Sequence, residues 1–210
     1  MPRRAPLLAM ALLLLAPATA RAAETRLSLD GNAPEGGPDH FFVPFEVPAG
    51  TKEIAIVHKS RTQGNTLDFG LLDPAGYRGW GGGTSEDTVV GEQAASRAYV
   101  PGPIAPGTWK VVVGKAFVGT SPAAYELTVI LRDAPTLPPQ TDRAKYTEAA
   151  ALRRERRWWA GDLHAHSKES TDATPALEDM VTFARGRGLD FVEISDHNTV
   201  TQLDYFAGVQ

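Results

Sequence analysis

Two short segments of this chain concentrate residue types that bind metal ions. Asp162, His164 and His166 lie in the segment D-L-H-A-H-S at 162–167, and Asp196 and His197 lie in S-D-H-N at 195–198. Imidazole nitrogen and carboxylate oxygen are ligands of divalent metals such as zinc, manganese and iron. The chain has no cysteine, so a metal site must be built from His, Asp and Glu. A bound metal lowers the pKa of its water from about 15.7 toward 7, and hydrolysis is the chemistry expected.

The first histidine segment is predicted to lie at the end of a β-strand over residues 158–164. Side chains in a strand alternate between its faces, so Asp162, His164 and, if the strand extends that far, His166 point to one side. A second strand is predicted over residues 189–195. Its mostly apolar sequence is typical of a parallel strand covered by helices.

A helix is predicted between these two strands. Thr174 is the expected N-cap and Pro175 the expected first helical residue. Apolar residues recur with helical spacing at Leu177, Met180, Val181 and Ala184. A right-handed crossover makes the strands parallel and brings both histidine segments to one edge of the sheet. The alternative is that the histidines are satisfied core residues that happen to share this edge.

Residues 1–22 are predicted to form a secretory signal peptide. Arg3 and Arg4 precede an apolar run at 7–15, which small residues in A-x-A patterns follow. A membrane anchor is the alternative, but the run is about half of the roughly 20 residues that span a bilayer, and Pro17 interrupts its end. We therefore expect export to the periplasm or the medium, with no stable membrane span.

Residues 24–133 consist of short β-type runs separated by turns that contain proline and glycine, a pattern that favours an antiparallel β-sandwich. The segment resembles the jelly-roll and pre-peptidase-like sandwiches found beside exported hydrolases. His40 and His58 are isolated in this segment, and edge or surface positions are expected for both. The glycine-rich loop at 79–84 lacks the Gly-Lys-Ser/Thr ending of a phosphate-binding loop.

A linker and a short helix are predicted over residues 134–157. The segment 134–140 is too rich in proline for a helix or a central strand, whereas 144–157 is a helical candidate with four arginines at its end. Basic residues beside Trp158 and Trp159 could bind nucleic acid. Glutamates interrupt the run, however, and the net charge of the chain is -4. A solvated helix face is favoured, and no nucleic-acid partner is expected.

In combination, the two histidine segments resemble the polymerase and histidinol phosphatase (PHP) superfamily of metal-dependent hydrolases. Residues 162–167 resemble its first motif and 195–198 its second, while 170–172 resemble the acidic stretch that follows the first. The resemblance covers residues 157–210, and the carbaryl-hydrolase type is the most similar branch.

The resemblance implies a distorted (β/α)7 barrel that holds two or three zinc, manganese or iron ions at the carboxyl ends of its strands. It implies that His164 and His166 are metal ligands from the first strand and that His197 is a ligand from the second. Asp172 would be a further ligand or a bridging neighbour.

The resemblance also assigns supporting roles and shows departures from the family pattern. Asp162 and Asp196 are expected to assist catalysis by orienting the ligand imidazoles without binding the metal themselves. The commonest pattern has Asp-Gly directly after the serine, whereas here Thr171 intervenes and Ala173 replaces the glycine. The family's later ligands have no counterpart because residues 199–210 contain no histidine. The chain is therefore expected to be the amino-terminal part of a longer protein and to be inactive alone.

The predicted fold class is β plus α/β, with a β-sandwich followed by the first βαβ portion of an incomplete PHP-type barrel at 158–210. The predicted function is that of an exported hydrolase that uses a metal-activated water to cleave a phosphoester, carbamate, amide or ester bond of a small molecule. The alternative function is that of a secreted β-sandwich binding module with a non-functional hydrolase remnant. Lys168 and Glu193 are nearby polar candidates for a general acid, and solvated or barrel-packing roles are favoured for both.

Overall fold

The computed structural model describes residues 23–60, 62–82, 84–150 and 153–209. The predicted signal peptide lies outside the described residues. The described part of the chain is β-rich, and most of its strands are antiparallel. The elements in chain order are β1 Glu24–Ser28, β2 Gly31–Ala33, β3 His40–Val47, β4 Glu53–Ser60, β5 Asn65–Asp73, β6 Gly76–Trp80, β7 Thr88–Gly91, β8 Gly107–Val118, β9 Ala123–Arg132, β10 Gly161–Ala165, α1 Leu177–Gly186, β11 Phe191–Ile194 and a 3₁₀-helix Thr201–Gly208.

Strands β1 to β9 form two antiparallel sheets that enclose a common core. The five-stranded sheet has the order β1-β9-β4-β7, with β2 also paired to β9, and the four-stranded sheet has the order β3-β8-β5-β6. Alternate residues of each strand point into the space between the sheets, as Leu67, Phe69 and Leu71 do in β5. Trp109 of β8 is fully buried, and its indole N–H donates to the carbonyl oxygen of Ala105 at 2.8 Å. Apolar burial on this scale is the main stabilising contribution to this part of the chain.

The turn between β3 and β4 forms as its sequence predicts. Gly50 has φ +91°, a conformation that glycine adopts without steric cost, and the amide of Thr51 donates to the carbonyl oxygen of Pro48. The Thr51 hydroxyl donates to the same carbonyl oxygen at 2.9 Å.

The proline-rich segment 134–140 lies against the two sheets. The buried Glu53 carboxylate pairs with Arg132 at 2.7 Å and accepts hydrogen bonds from the backbone and the hydroxyl of Thr136. The side-chain amide of Gln140 exchanges two hydrogen bonds with the backbone of Ala95, each 3.0 Å long. These contacts give the segment a defined path along the sheets.

The predicted helix at 144–157 does not form in the described residues of that segment, 144–150 and 153–157. Most of these residues are exposed, so a helix here would have no apolar face to bury, and short isolated helices are marginal in water. Arg157 instead pairs with Asp190 at 2.6 Å, and its guanidinium stacks over the Trp159 ring at 3.6 Å from the centroid.

The carboxyl-terminal part contains the predicted parallel strand pair. Strands β10 and β11 pair in parallel and are joined through α1, which confirms the predicted strand–helix–strand order. The pairing is irregular between Asp162 and Ala165, so the regular alternation expected through the first histidine segment is interrupted there.

Helix α1 begins two residues later than predicted. Its N-cap is Ala176 rather than Thr174, without a side-chain hydrogen bond. The carbonyl oxygen of Pro175 accepts a hydrogen bond from the amide of Lys168 at 2.7 Å, so these residues belong to the preceding loop. Leu177 and Ala184 are buried, as the helical spacing predicts. Within the described residues, no helix has the length and hydrophobicity that crossing a bilayer requires.

Candidate metal centre

Three of the predicted ligands converge on one point beyond the ends of β10 and β11. The Oδ2 atom of Asp172 lies 3.0 Å from Nδ1 of His166 and 3.4 Å from Nε2 of His197. A ligand atom from each of the three residues lies within 4.8 Å of the other two. Ligands that bind a divalent ion at about 2.0–2.2 Å lie roughly 3.0–3.5 Å apart. The two separations from Asp172 fall in this range, so the three side chains are a candidate site for a single cation, and their donor atoms suit zinc, manganese or iron.

His164 adjoins this cluster through its partner imidazole. Its Nε2 lies 3.1 Å from Nε2 of His166, the ring nitrogen opposite to the one that faces Asp172. A neutral imidazole has one N–H and one lone pair. When Nδ1–H of His166 donates to Asp172, the Nε2 lone pair faces His164. When Nε2–H of His166 donates to His164, the Nδ1 lone pair of His166 faces Asp172 and can bind a cation together with Asp172 and His197.

The Asp172 carboxylate is held in its charged form. The hydroxyl of Ser170 donates to Asp172 Oδ1 at 2.5 Å, and this hydrogen bond, followed by the one from His166, lowers the pKa of Asp172 below its ordinary value. A carboxylate that stays ionised at neutral pH is ready to bind a cation.

Buried serines join the two histidine segments. The amide of His197 donates to the hydroxyl of Ser170 at 3.1 Å, so one buried side chain fixes both His197 and Asp172. The backbone amide and the hydroxyl of Ser167 donate to the Asp196 carboxylate at 2.6 and 2.5 Å. The loop after the first segment is thus tied to the second by charge-assisted hydrogen bonds.

Asp162 and Asp196 make other contacts than those expected. Both were predicted to orient imidazoles, but Asp162 Oδ1 accepts from the backbone amide of His164 at 2.9 Å, and Asp196 accepts from Ser167. Each carboxylate therefore holds the local backbone in place.

Glu169 is a buried residue near the candidate ligands that the sequence did not single out. It lies between His166 and Asp172 in the chain and is 2% exposed, and its Oε2 atom lies 3.5 Å from a guanidinium nitrogen of Arg143. The same oxygen accepts hydrogen bonds from the Ala98 amide at 3.1 Å and the Thr201 hydroxyl at 2.7 Å. The loop that carries Asp172 is therefore fixed to the two-sheet part of the molecule. The only sequence signal was an acid within a polar run, and such acids are usually solvated.

Other contacts hold the same loop against the two sheets. Arg97 donates to the carbonyl oxygen of Ala173 at 3.0 Å and pairs with Glu86 at 2.7 Å. A Cβ atom added at Gly82 would lie 3.8 Å from the Thr171 hydroxyl oxygen, so the glycine-rich loop passes beside this segment.

Lys168 and Glu193, the two general-acid candidates, make no contact with the candidate metal ligands in the contacts that the structure gives for them. The ammonium group of Lys168 is 4.6 Å from the centroid of the Tyr205 ring, in a cation–π contact. Glu193 is exposed on β11.

Comparisons with known proteins add no relative from which a function could be transferred. No protein-family model matches the chain, and no curated protein matches it. The geometry of the candidate metal ligands is therefore the basis for a functional proposal.

Proposed function

We propose that this chain carries metal ligands of an exported, metal-dependent hydrolase of the PHP type. The observation that carries the proposal is the convergence of His166, Asp172 and His197 within 4.8 Å, at the edge where β10 and β11 end in parallel. Carboxyl ends of parallel strands are the usual location of catalytic sites in α/β proteins. In this proposal the two sheets are a β-sandwich of the jelly-roll or pre-peptidase kind, and β10, α1 and β11 open a (β/α)7 barrel.

Each residue of the centre has a role that follows from its contacts. His166, His197 and Asp172 would hold a zinc, manganese or iron ion, and His164, which faces the opposite ring nitrogen of His166, would serve a second ion. Such an ion lowers the pKa of a water molecule and polarises a phosphoryl or carbonyl oxygen. Ser170 keeps Asp172 charged and directed toward the imidazoles.

The substrate class follows from this chemistry. Activation of water at neutral pH favours hydrolysis of a phosphoester, or of a carbamate, amide or ester. We include Asp162 and Asp196 in the centre as residues that maintain the backbone of the two ligand segments. A second metal ion is part of the proposal, because the resemblance to the PHP superfamily implies two or three.

The first test is metal binding by the 210-residue chain. We expect tight binding of zinc or manganese in equilibrium dialysis. Removing one ligand by His166→Ala or His197→Ala should weaken binding at least tenfold, about 1.4 kcal/mol. His58→Gln is the matched control, since this histidine stacks on Phe69 within the two-sheet part. Equal metal content in all four proteins would contradict the proposal.

The second test is activity of the protein toward a chromogenic phosphodiester. We expect hydrolysis that a chelator abolishes and that added metal restores, together with its loss in the His164→Ala, His166→Ala double variant. Unchanged hydrolysis in that variant would favour the other candidate function, a binding module with a hydrolase remnant.

A further inference from the structure

A cavity of about 500 Å³ lies on the outer face of the four-stranded sheet, next to the second histidine segment. Its wall includes Asp68 and Trp80 of the sheet, the exposed Tyr77, and Asn198, which directly follows the metal ligand candidate His197. Cavities of roughly 300–1,000 Å³ with aromatic side chains and a few polar groups are typical of small-molecule sites. The cavity uses none of the residues that form the metal centre.

The aromatic wall of the cavity is held rigidly. The Trp80 indole lies across two glycines of neighbouring strands, where a Cβ at Gly70 would lie 2.5 Å from its ring and a Cβ at Gly114 2.7 Å. The His40 ring packs on the indole at 5.4 Å between centroids. Because any larger residue at either glycine would displace the indole, this sheet face is shaped to hold Trp80 in place. Asn198 has φ +54°, a strained conformation of the kind that concentrates at functional sites.

The polar wall of the cavity favours a ligand that donates hydrogen bonds. Asp39 and Asp68 contribute carboxylates to the wall. Two carboxylates disfavour an anionic group. The Lys115 ammonium is held by the carbonyl oxygen of Gly36 at 2.6 Å, so it is already engaged. Aromatic side chains beside carboxylates and an amide suit a ring with an apolar face and hydroxyl groups at its edge.

We propose that this cavity binds a neutral sugar ring, stacked on the exposed ring of Tyr77 and hydrogen-bonded through its hydroxyl groups to Asp68 and Asn198. The site is a property of the four-stranded sheet and the loop after His197, and it binds without a metal ion. The sugar site goes beyond the proposed hydrolase function. A binding module with a hydrolase remnant would contain the same site. In a functional hydrolase, the sugar would be the part of the substrate held beside the metal centre.

The test is binding of maltose, cellobiose and N-acetylglucosamine to the 210-residue chain in the presence of a chelator, by saturation-transfer NMR and calorimetry. We expect at least one of these sugars to bind with a Kd of ~1 mM or tighter. Asp68→Asn and Tyr77→Ala should each weaken binding about tenfold, or ~1.4 kcal/mol. Both substitutions lie at the cavity wall rather than in the core, so the fold is retained. Phe42→Ala is the matched control, because Phe42 is equally exposed on the same sheet and does not line the cavity.

Three results would overturn this proposal. The first is no binding of any of the three sugars, and the second is binding that Asp68→Asn and Tyr77→Ala leave unchanged. The third is binding of choline in preference to sugars, since a cation would also satisfy carboxylates and aromatic rings. The proposed hydrolase can fail independently of this site, because its test is metal content in variants of His166 and His197.

Discussion

Replacing Glu169 with alanine should destabilise the chain by about 3–5 kcal/mol. The substitution removes two hydrogen bonds to a buried carboxylate, from the Ala98 amide and the Thr201 hydroxyl. Hydrogen bonds to charged groups contribute roughly 1.5–3 kcal/mol each. It also removes one of the two carboxylates that pair with the buried guanidinium of Arg143; because Asp204 remains at 3.6 Å, this loss costs less than the roughly 3–5 kcal/mol of a buried charge left alone. The two estimates describe overlapping interactions, so we expect the loss to lie near 3–5 kcal/mol rather than at their sum.

Urea unfolding followed by tryptophan fluorescence measures the loss in free energy of unfolding. Hydrogen exchange gives a local measurement, because the Ala98 amide donates to Glu169 and should lose protection selectively. Glu169→Gln is the matched control, since its side-chain carbonyl oxygen still accepts hydrogen bonds while the charge is lost. We expect it to be less destabilising than Glu169→Ala.

The Arg143→Ala, Glu169→Ala double variant completes the test. Once Glu169 is absent, removing Arg143 should cost less than it does in the native chain, and the coupling energy should be roughly 0.5–3 kcal/mol. A Glu169→Ala variant within about 0.5 kcal/mol of the native chain would refute the reasoning, because changes of that size are typical of surface positions. If the losses in free energy of unfolding from Arg143→Ala and Glu169→Ala simply add in the double variant, the two groups do not act as a pair.

Two further predictions concern the metal centre and the pH dependence of stability. Ser170→Ala removes the hydroxyl that donates to Asp172 and accepts from the His197 amide, so both ligand candidates lose their orientation and zinc affinity at pH ~7 should fall about 10- to 100-fold. Unchanged affinity in calorimetry would contradict this role. Burial lowers the pKa of His58, which stacks on Phe69 at 4.2 Å, so its neutral form stabilises the fold above pH ~6.5 and that contribution is lost as the pH falls further. The difference in unfolding free energy between pH ~7.5 and ~5.5 should therefore shrink in His58→Gln, and an identical difference in both proteins would show that His58 does not contribute.

Much of the fold follows from local sequence patterns. The antiparallel strands were predicted from short β-type runs separated by turn residues, because strand propensity and positive φ at positions such as Gly50 are local properties. The parallel pairing of β10 and β11 follows from the crossover helix between them. The predicted helix at 144–157 failed because of a missing packing partner. The segment 144–157 has helical composition, but a helix there has nothing to pack against in the described residues.

The sequence alone identified the candidate metal ligands: His166 and His197 offer lone pairs at the ends of two parallel strands, and the resemblance to a known family added Asp172. Only the tertiary structure decided how those side chains are held. Asp162 and Asp196 bind backbone groups rather than imidazoles, and Ser170 fixes both ligand loops.

The tertiary structure also decided how Glu169 is buried and where a cavity opens. Glu169 is polar, and its burial depends on Arg143 and Ala98, which lie far from it in the chain. Trp80 forms a cavity wall because glycines on two neighbouring strands lie beneath it. Ligand chemistry is a property of single residues and is visible in the sequence, whereas burial, charge pairing and cavity shape depend on residues brought together only by folding.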